Sequence, residues 1–119
     1  MELKVSFRNN LIISPSKTGH KFVIESPFIV WIDGATFDIP SGFYTDFASI
    51  PRAFWSVLSP LDSHIRASVL HDYLYYKQEL NNKPIKKAFA DQAFLTAMKT
   101  CGTPVLKRNI MYYAVKFFG

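Results

Sequence analysis

The fold is indicated most clearly by residues 28–39, which read FIVWIDGATFDI. Two runs rich in Val, Ile, Phe and Trp, Phe28–Ile32 and Ala35–Ile39, are separated by the dipeptide Asp33-Gly34. An Asp-Gly pair between such runs is typical of a two-residue hairpin turn, because both turn positions adopt positive φ. The stretch therefore predicts an antiparallel β-hairpin.

Further short strands are predicted before this hairpin. Alternating or β-branched residues occur at Leu3–Phe7, Leu11–Ile13 and Lys21–Glu25. Pro27 lies between the run Lys21–Glu25 and the hairpin strand Phe28–Ile32, where it predicts an edge or a bend, because proline cannot donate to a strand ladder. The N-terminal half is thus expected to form a small antiparallel sheet.

The pattern changes from strands to helices after Pro40-Ser41-Gly42. Four helices are predicted: residues 49–58, a second from Asp62 or Ser63 to Tyr76, a third from Pro84 to Cys101 after the polar loop Lys77–Lys83, and a fourth from Thr103-Pro104 to Phe118. Gly102 is expected to end the third helix. The predicted fold is one α+β domain, residues 1–119, in which about four helices pack on the sheet.

Composition and charge narrow the classes of function. Hydrophobic residues make up 49% and charged residues 19%, which is ordinary for a globular domain, and the net charge is +5. The basic residues form no stripe interleaved with aromatic residues, so nucleic-acid binding is not indicated and a solvated surface explains the charge.

Cysteine content and hydropathy add two exclusions. Cys101 is the only cysteine, so neither an intramolecular disulfide nor a cysteine-based zinc site is expected. No run approaches the roughly 20 apolar residues of a membrane span, and the N-terminus lacks the apolar segment of a signal peptide. A cytoplasmic location is therefore expected.

Polar residues interrupt the apolar face of the second predicted helix. At about 100° per residue, Arg66 falls within the apolar arc, while His71 shares the neighbouring face with His64 and Asp72 lies where the two faces meet.

Asp91 occupies the centre of the apolar stripe of the third predicted helix. A lone buried carboxylate is costly, so Asp91 is expected to be paired, hydrogen-bonded or bound to a metal. Arg66 and His71 are the two expected partners, provided that the second and third helices pack antiparallel. The sequence therefore predicts a polar contact between two helices.

A third group of candidates lies in the turn from the sheet to the helices. Asp46 precedes the predicted helix over residues 49–58, where a carboxylate is favoured by free amides and the helix dipole. A purely structural capping role explains Asp46 equally well. Arg52 follows in the same turn and can steady an anion.

These motifs together resemble a known family. Pro40–Arg52 (PSGFYTDFASIPR), Arg66-Ala67 leading to residues 71–75 (HDYLY), Ala90-Asp91 with Phe94, and the closing Tyr112–Gly119 are similar to the phage and prophage family catalogued as domain of unknown function 1353. The resemblance implies a phage or prophage origin and, through the family's name, no established reaction. His64 is not part of the pattern, which counts against it as an essential ligand.

One hypothesis is a metal-dependent hydrolase. The adjacent His71-Asp72, with Asp91 on the next helix, resembles the metal site of HD-type phosphohydrolases. This resemblance implies His71, Asp72 and Asp91 as ligands of Zn, Mn or Fe, with Asp46 as a further oxygen donor. The bound ion would activate a water, and Arg52 or Arg66 would steady the developing anion. The sequence departs from that superfamily because it lacks the upstream histidine on a separate helix.

A second hypothesis is a virion, tail or assembly component that acts without catalysis. Asp46, Arg66, His71, Asp72 and Asp91 would then form a buried network that fixes the helices on the sheet. Other phage proteins would be its partners, in the host cytoplasm or in the particle. A third hypothesis, an intracellular phage inhibitor of a host factor, is not separated from the second by any residue.

Overall fold

A computed structural model of the chain describes residues 3–17, 21–46, 64–80 and 82–118. These residues form six strands, a helix, two further strands and two helices. The elements are β1 (Val5–Phe7), β2 (Ile13–Pro15), β3 (Phe22–Ile24), β4 (Phe28–Ile32), β5 (Ala35–Ile39), β6 (Tyr44–Thr45), α1 (Ile65–Lys77), β7 (Glu79–Leu80), β8 (Lys83–Pro84), α2 (Lys87–Thr100) and α3 (Val105–Phe118). The predicted α+β class, with strands first and helices after, is confirmed.

The predicted hairpin is present as β4 and β5. The two strands pair antiparallel with Ile32 opposite Ala35, and the turn residues Asp33 and Gly34 have φ of 46° and 92°. Positive φ at both turn positions is the requirement that the Asp-Gly dipeptide meets.

The strands form two small three-stranded sheets rather than the single sheet predicted. One has the order β1-β4-β5 and the other β2-β3-β6, and all pairs in them are antiparallel. β3 and β4 belong to different sheets although only three residues separate them, and Pro27 is the last of these. Because Pro27 has no amide hydrogen, it suits this passage between sheets.

The core lies between the sheets and the helices. In β4 the side chains of Phe28, Val30 and Ile32 are buried, whereas those of the two intervening residues are only partly covered. From the helices, the buried set includes Leu70, Leu74, Phe94, Met98, Met111 and Val115. Full burial of each such side chain contributes about 1.5–3 kcal/mol, so this shared core fixes the helices on the sheets.

The described residues contain three helices instead of about four. The first predicted helix, residues 49–58, lies outside the described residues, as do Asp62 and Ser63. α2 begins at Lys87 rather than at Pro84, because Lys83–Pro84 pairs with Glu79–Leu80 in a short hairpin within the segment predicted as a polar loop.

The C-terminus of α2 ends as the sequence predicts. Gly102 has φ of 78°, its amide donates to the Lys99 carbonyl at 3.1 Å, and the Thr103 amide donates to the Met98 carbonyl at 2.9 Å. These two bonds define a Schellman motif. Within the described part of the chain, no helix combines the length and hydropathy needed to cross a bilayer.

Candidate functional site

The site is built where α1 packs against α2. His71, in the middle of α1, contacts Asp91, in the second turn of α2, whereas Arg66 near the start of α1 acts electrostatically on Cys101, just past the end of α2. An earlier residue of α1 therefore faces a later residue of α2. The helices therefore pack antiparallel, as the sequence predicts.

Asp91 is buried and carries two partners. Nε2 of His71 lies 2.7 Å from Oδ1 of Asp91, and Nζ of Lys87 donates to Oδ2 at 2.9 Å. Asp91 is 5% exposed and His71 is 3% exposed, so this contact is shielded from water. The prediction that Asp91 is buried and paired, with His71 as one partner, is confirmed.

The predicted pairing of Arg66 with Asp91 is wrong. Arg66 is exposed rather than buried in the apolar arc of α1. It lies nearly a turn and a half before His71, which places it towards Cys101 instead of Asp91. Lys87 takes the second oxygen of Asp91 because it lies four residues earlier on the same helix face.

Lys87 also ties α2 to α3. Its ammonium group donates to the carbonyl oxygens of Val115, at 3.2 Å, and Lys116, at 3.5 Å. These carbonyls belong to the last turn of α3, where helix carbonyls lack intrahelical partners and favour a cation. One lysine thus neutralises the buried carboxylate and caps a neighbouring helix.

The Asp91 contact determines the tautomer of His71. An ionised carboxylate can only accept, so Nε2 of neutral His71 must carry the hydrogen and Nδ1 must carry the lone pair. Nδ1 is buried and has no hydrogen-bond partner in the structure as described. The nearest carboxylate oxygen on its side, Oδ1 of Asp72, lies 4.0 Å away. His71 therefore presents an unsatisfied proton acceptor.

Asp72 connects α1 to the last strand of the second sheet. Its Oδ2 accepts hydrogen bonds from the Thr45 hydroxyl and from the Asp46 amide, the latter at 3.0 Å. Thr45 is buried, and Asp46 directly follows β6. One oxygen of Asp72 thus holds the end of β6 while the other faces His71.

An open cleft of about 480 Å³ lies beside these groups. Its lining combines titratable groups with aromatic side chains, namely His71, Asp72, Asp46, Lys21, Gln78, Phe43, Tyr44, Tyr75 and Tyr76. Tyr75 stacks on the His71 ring at 6.1 Å between centroids, and Phe43 meets Tyr76 edge-on at 5.7 Å. A cleft with apolar walls and a few converging polar groups is typical of a ligand site.

The residues do not fit the proposed metal site of His71, Asp72 and Asp91. The imidazole lies between the two carboxylates, so each ring nitrogen faces a different one, and Nε2 already bonds directly to Asp91. The three side chains therefore do not converge on one point, as metal ligands must. Among the described residues, no group of three or more His, Cys, Asp or Glu is arranged to hold a metal ion.

Of the remaining candidate residues, one belongs to the cleft and the other is not among the described residues. Asp46 lies in the cleft wall, and Arg52 falls outside the described residues. Sequence reasoning missed Lys87, although its spacing of four residues from Asp91 was a usable signal. It also missed Thr45, for which no local signal exists because its partner Asp72 is 27 residues away.

Outside this site, the thiol of Cys101 has a raised pKa. Burial raises the pKa of the Cys101 thiol above 9.0, and the positive charge of Arg66 acts in the opposite direction. A thiol with a raised pKa is a weak nucleophile, which agrees with a structural position at the helix end.

The fold and the site define an α+β domain with a buried Asp–His pair beside an aromatic cleft. The chain belongs to the family described as protein of unknown function DUF1353, whose model matches residues 22–115. It is also similar to the uncharacterized protein y4jT of Sinorhizobium fredii (strain NBRC 101917 / NGR234), with 33% identity over 89 residues. That match covers 73% of this chain and 25% of y4jT, so the chain spans about a quarter of its curated relative. No solved structure matches significantly.

Proposed function

We propose that this protein is a hydrolase in which His71 is the general base and Asp91 is its positioning residue. The observation that carries the proposal is the difference in environment between the two imidazole nitrogens of His71. Nε2 is held by Asp91 at 2.7 Å, whereas Nδ1 is buried, without a hydrogen-bond partner among the described residues, in a side chain that lines the cleft. A buried acceptor left unsatisfied is costly, and supplying it with a proton from a bound water relieves that cost.

The reaction follows from this geometry. Because Nδ1 is buried, a water must first move from the cleft into contact with it. Nδ1 then takes a proton from that water, and the water oxygen bonds to the electrophilic carbon or phosphorus of the substrate while the imidazolium forms. Asp91 and the nearby Asp72 stabilise that imidazolium. The bond to the leaving group then breaks, and the leaving group takes the proton back from Nδ1.

The cleft walls indicate which substrates to test first. Phe43, Tyr44, Tyr75 and Tyr76 favour an apolar or planar group, and Lys21 is a cation at the same surface. An acyl ester fits this lining, and a phosphate ester is the alternative. Arg66, which the sequence suggested as an anion stabiliser, lies towards Cys101 and has no part in this scheme.

A test that needs no substrate is the tautomer of His71. Nitrogen-15 NMR of the imidazole ring should show hydrogen on Nε2 and a free lone pair on Nδ1 when the ring is neutral. A neutral ring with its hydrogen on Nδ1 contradicts the proposal, because that nitrogen could not then accept a proton.

A kinetic test uses p-nitrophenyl acetate, butyrate, octanoate and phosphate. The wild-type protein should hydrolyse one of these classes, and His71→Gln should lower kcat/KM by about 10²–10⁴-fold. Asp91→Asn should have a loss of the same order, about 10²–10⁴-fold, because an amide that donates to Nε2 favours the wrong tautomer. Asp38→Asn, an exposed carboxylate on β5, is the matched control. Equal rates in the wild type and His71→Gln would sink the proposal.

A structural role in a phage particle is the second candidate. It is favoured by Asp72 and Lys87, whose bonds join α1 to β6 and α2 to α3, as a packing network would. Under this proposal the partners are other phage proteins, and the protein is found in the host cytoplasm or the virion. Mass spectrometry of purified particles tests it, since a packaged component must be present there. The third hypothesis, an inhibitor of a host factor, is not favoured by any specific observation on the described residues.

A further inference from the structure

Helix α3 exposes a line of large apolar side chains that do not belong to the hydrophobic core. Leu106, Ile110, Tyr113 and Phe117 are 74%, 43%, 52% and 72% exposed. The opposite face of the same helix is buried in the core through residues such as Met111. The four exposed residues, called the α3 stripe below, belong neither to that core nor to the cleft.

The spacing of the α3 stripe is that of a helix-pairing seam. Its members follow one another at intervals of four, three and four residues, which is the alternation of a and d positions in a heptad. At about 100° per residue they fall within about 60° of the helix circumference. Such a narrow line matches a partner helix better than a membrane surface, which requires a broader apolar face.

The aromatic side chains of the α3 stripe are also ordered before a partner binds. The rings of Tyr113 and Phe117 stack with centroids 6.2 Å apart and planes at 15°. The ammonium of Lys116 lies 5.9 Å from the Tyr112 ring centre and 6.0 Å from that of Tyr113, so the two rings together place the lysine beside the stripe. Ordered aromatic side chains lose little conformational freedom on binding, and they are enriched in protein interfaces.

Charge distinguishes between possible partners. α3 carries Lys107, Arg108 and Lys116 and no acidic residue. In the heptad that places the stripe at a and d, Lys107 and Lys116 fall at the flanking e and g positions, which select the partner of a helix pair. A second copy of this chain would bring lysines against lysines.

We propose that the α3 stripe docks an amphipathic helix of another protein, with apolar residues in its seam and acidic residues along its flanks. The seam supplies the contact area, and the lysines select partners by charge. The site is independent of the cleft, so it holds whether or not the protein is a hydrolase.

The test uses two designed helical peptides of about three heptads each. Both carry Leu and Ile at a and d, one with Glu at all e and g positions and the other with Lys there. The wild-type protein should bind the Glu peptide at least about tenfold more tightly than the Lys peptide at low salt, and added salt should reduce the difference. Lys116→Glu should reduce the preference several-fold without changing the fold.

Matched variants connect binding to the stripe. Leu106→Ser and Phe117→Ser change the two most exposed side chains of the stripe, so the protein should stay folded while affinity for the Glu peptide falls about tenfold. Ile12→Ser, an exposed apolar residue far along the chain, is the control and should bind normally.

Three outcomes overturn the proposal. The first is failure to bind either peptide, or equal binding of both. The second is binding to phosphatidylglycerol vesicles in preference to the Glu peptide, lost in Leu106→Ser, which would assign the stripe to a lipid surface. The third is a dimer in sedimentation that Leu106→Ser dissociates, which would assign it to a second copy.

Discussion

Lys87 and Asp91 form an ion pair one helical turn apart on α2, with Nζ 2.9 Å from Oδ2. The carboxylate is buried, while the lysine side chain is 32% exposed. The pair therefore extends from the protein surface to the interior, where Asp91 also contacts His71. The Asp91 carboxylate is thus held between Lys87 of α2 and His71 of α1. This arrangement suits a role in stabilising the fold as well as a role in catalysis.

Removal of the Asp91 carboxylate should destabilise the fold. Asp91→Ala removes the carboxylate partner of Lys87 and the acceptor of the His71 Nε2 hydrogen, and breaking one side of a buried pair costs about 3–5 kcal/mol. Because Lys87 can turn partly to water, we expect the lower end of this range. Urea unfolding at neutral pH measures the loss.

The control for this prediction is Asp38→Ala on the exposed face of β5, which should change stability by less than about 0.5 kcal/mol. Equal stability of Asp91→Ala and the wild type would show that the pair contributes nothing to folding.

The sequence predicted the secondary structure elements and the His71–Asp91 contact more accurately than it predicted the other residues that pair with Asp91 and Asp72. The Asp33-Gly34 turn and the Gly102 helix end were correct because each depends on local backbone geometry that few residues tolerate. The His71–Asp91 contact was correct because a carboxylate in an apolar stripe needs a partner. The first two arguments require only the residue and its immediate neighbours, whereas the third also required that the two helices pack antiparallel.

Long-range geometry accounts for what the sequence missed. Arg66 was assigned to Asp91 because helical angles give the face of a residue but not the axial offset between two helices. The metal site failed for a related reason, since adjacency in sequence does not determine whether His71 and Asp72 point to the same place. The two-sheet arrangement depends on which strands pair, which propensity alone does not specify.

Loss of the Asp72 carboxylate should loosen the end of β6. The Asp46 amide donates to Oδ2 of Asp72 at 3.0 Å, so Asp72→Ala leaves that amide without this acceptor. We expect hydrogen exchange of the Asp46 amide to accelerate, with a stability loss of about 1–3 kcal/mol.

The amide of Ile29, which donates to Asn9 at 2.8 Å in the other sheet, is the internal reference and should exchange at an unchanged rate. Uniform acceleration of both amides would indicate global destabilisation instead of a local bond to Asp72.

Substitution of Gly102 should weaken the end of α2 through backbone strain alone. A Cβ at Gly102 would meet nothing within 4 Å, but φ is 78°, which L-residues adopt at a cost of about 1–2 kcal/mol. Gly102→Ala should therefore lose about 1 kcal/mol, and Gly102→Asn should lose less because Asn tolerates this region. Thermal melts of the two variants compare them directly. A larger loss for Asn than for Ala would contradict strain as the cause.

The Cys101 thiol provides a test of where Arg66 lies. Burial raises the Cys101 pKa above 9.0, and Arg66 partly offsets that rise by favouring the thiolate. Arg66→Gln should therefore shift the alkylation profile of Cys101 by iodoacetamide to still higher pH. The control Arg8→Gln, on β1's flank beside Trp31, should leave the profile unchanged.

The same shift has a consequence for stability. A thiol whose pKa is higher in the folded than in the unfolded protein keeps its proton longer when folded, so its contribution is fully present below the unfolded pKa. That contribution is lost as the pH rises from about 9.0 through the folded value. Cys101→Ala should remove this alkaline loss, and Arg66→Gln should steepen it. Urea unfolding of the three proteins across that range measures both effects, and an identical alkaline slope in all three would refute the assigned burial of the thiol.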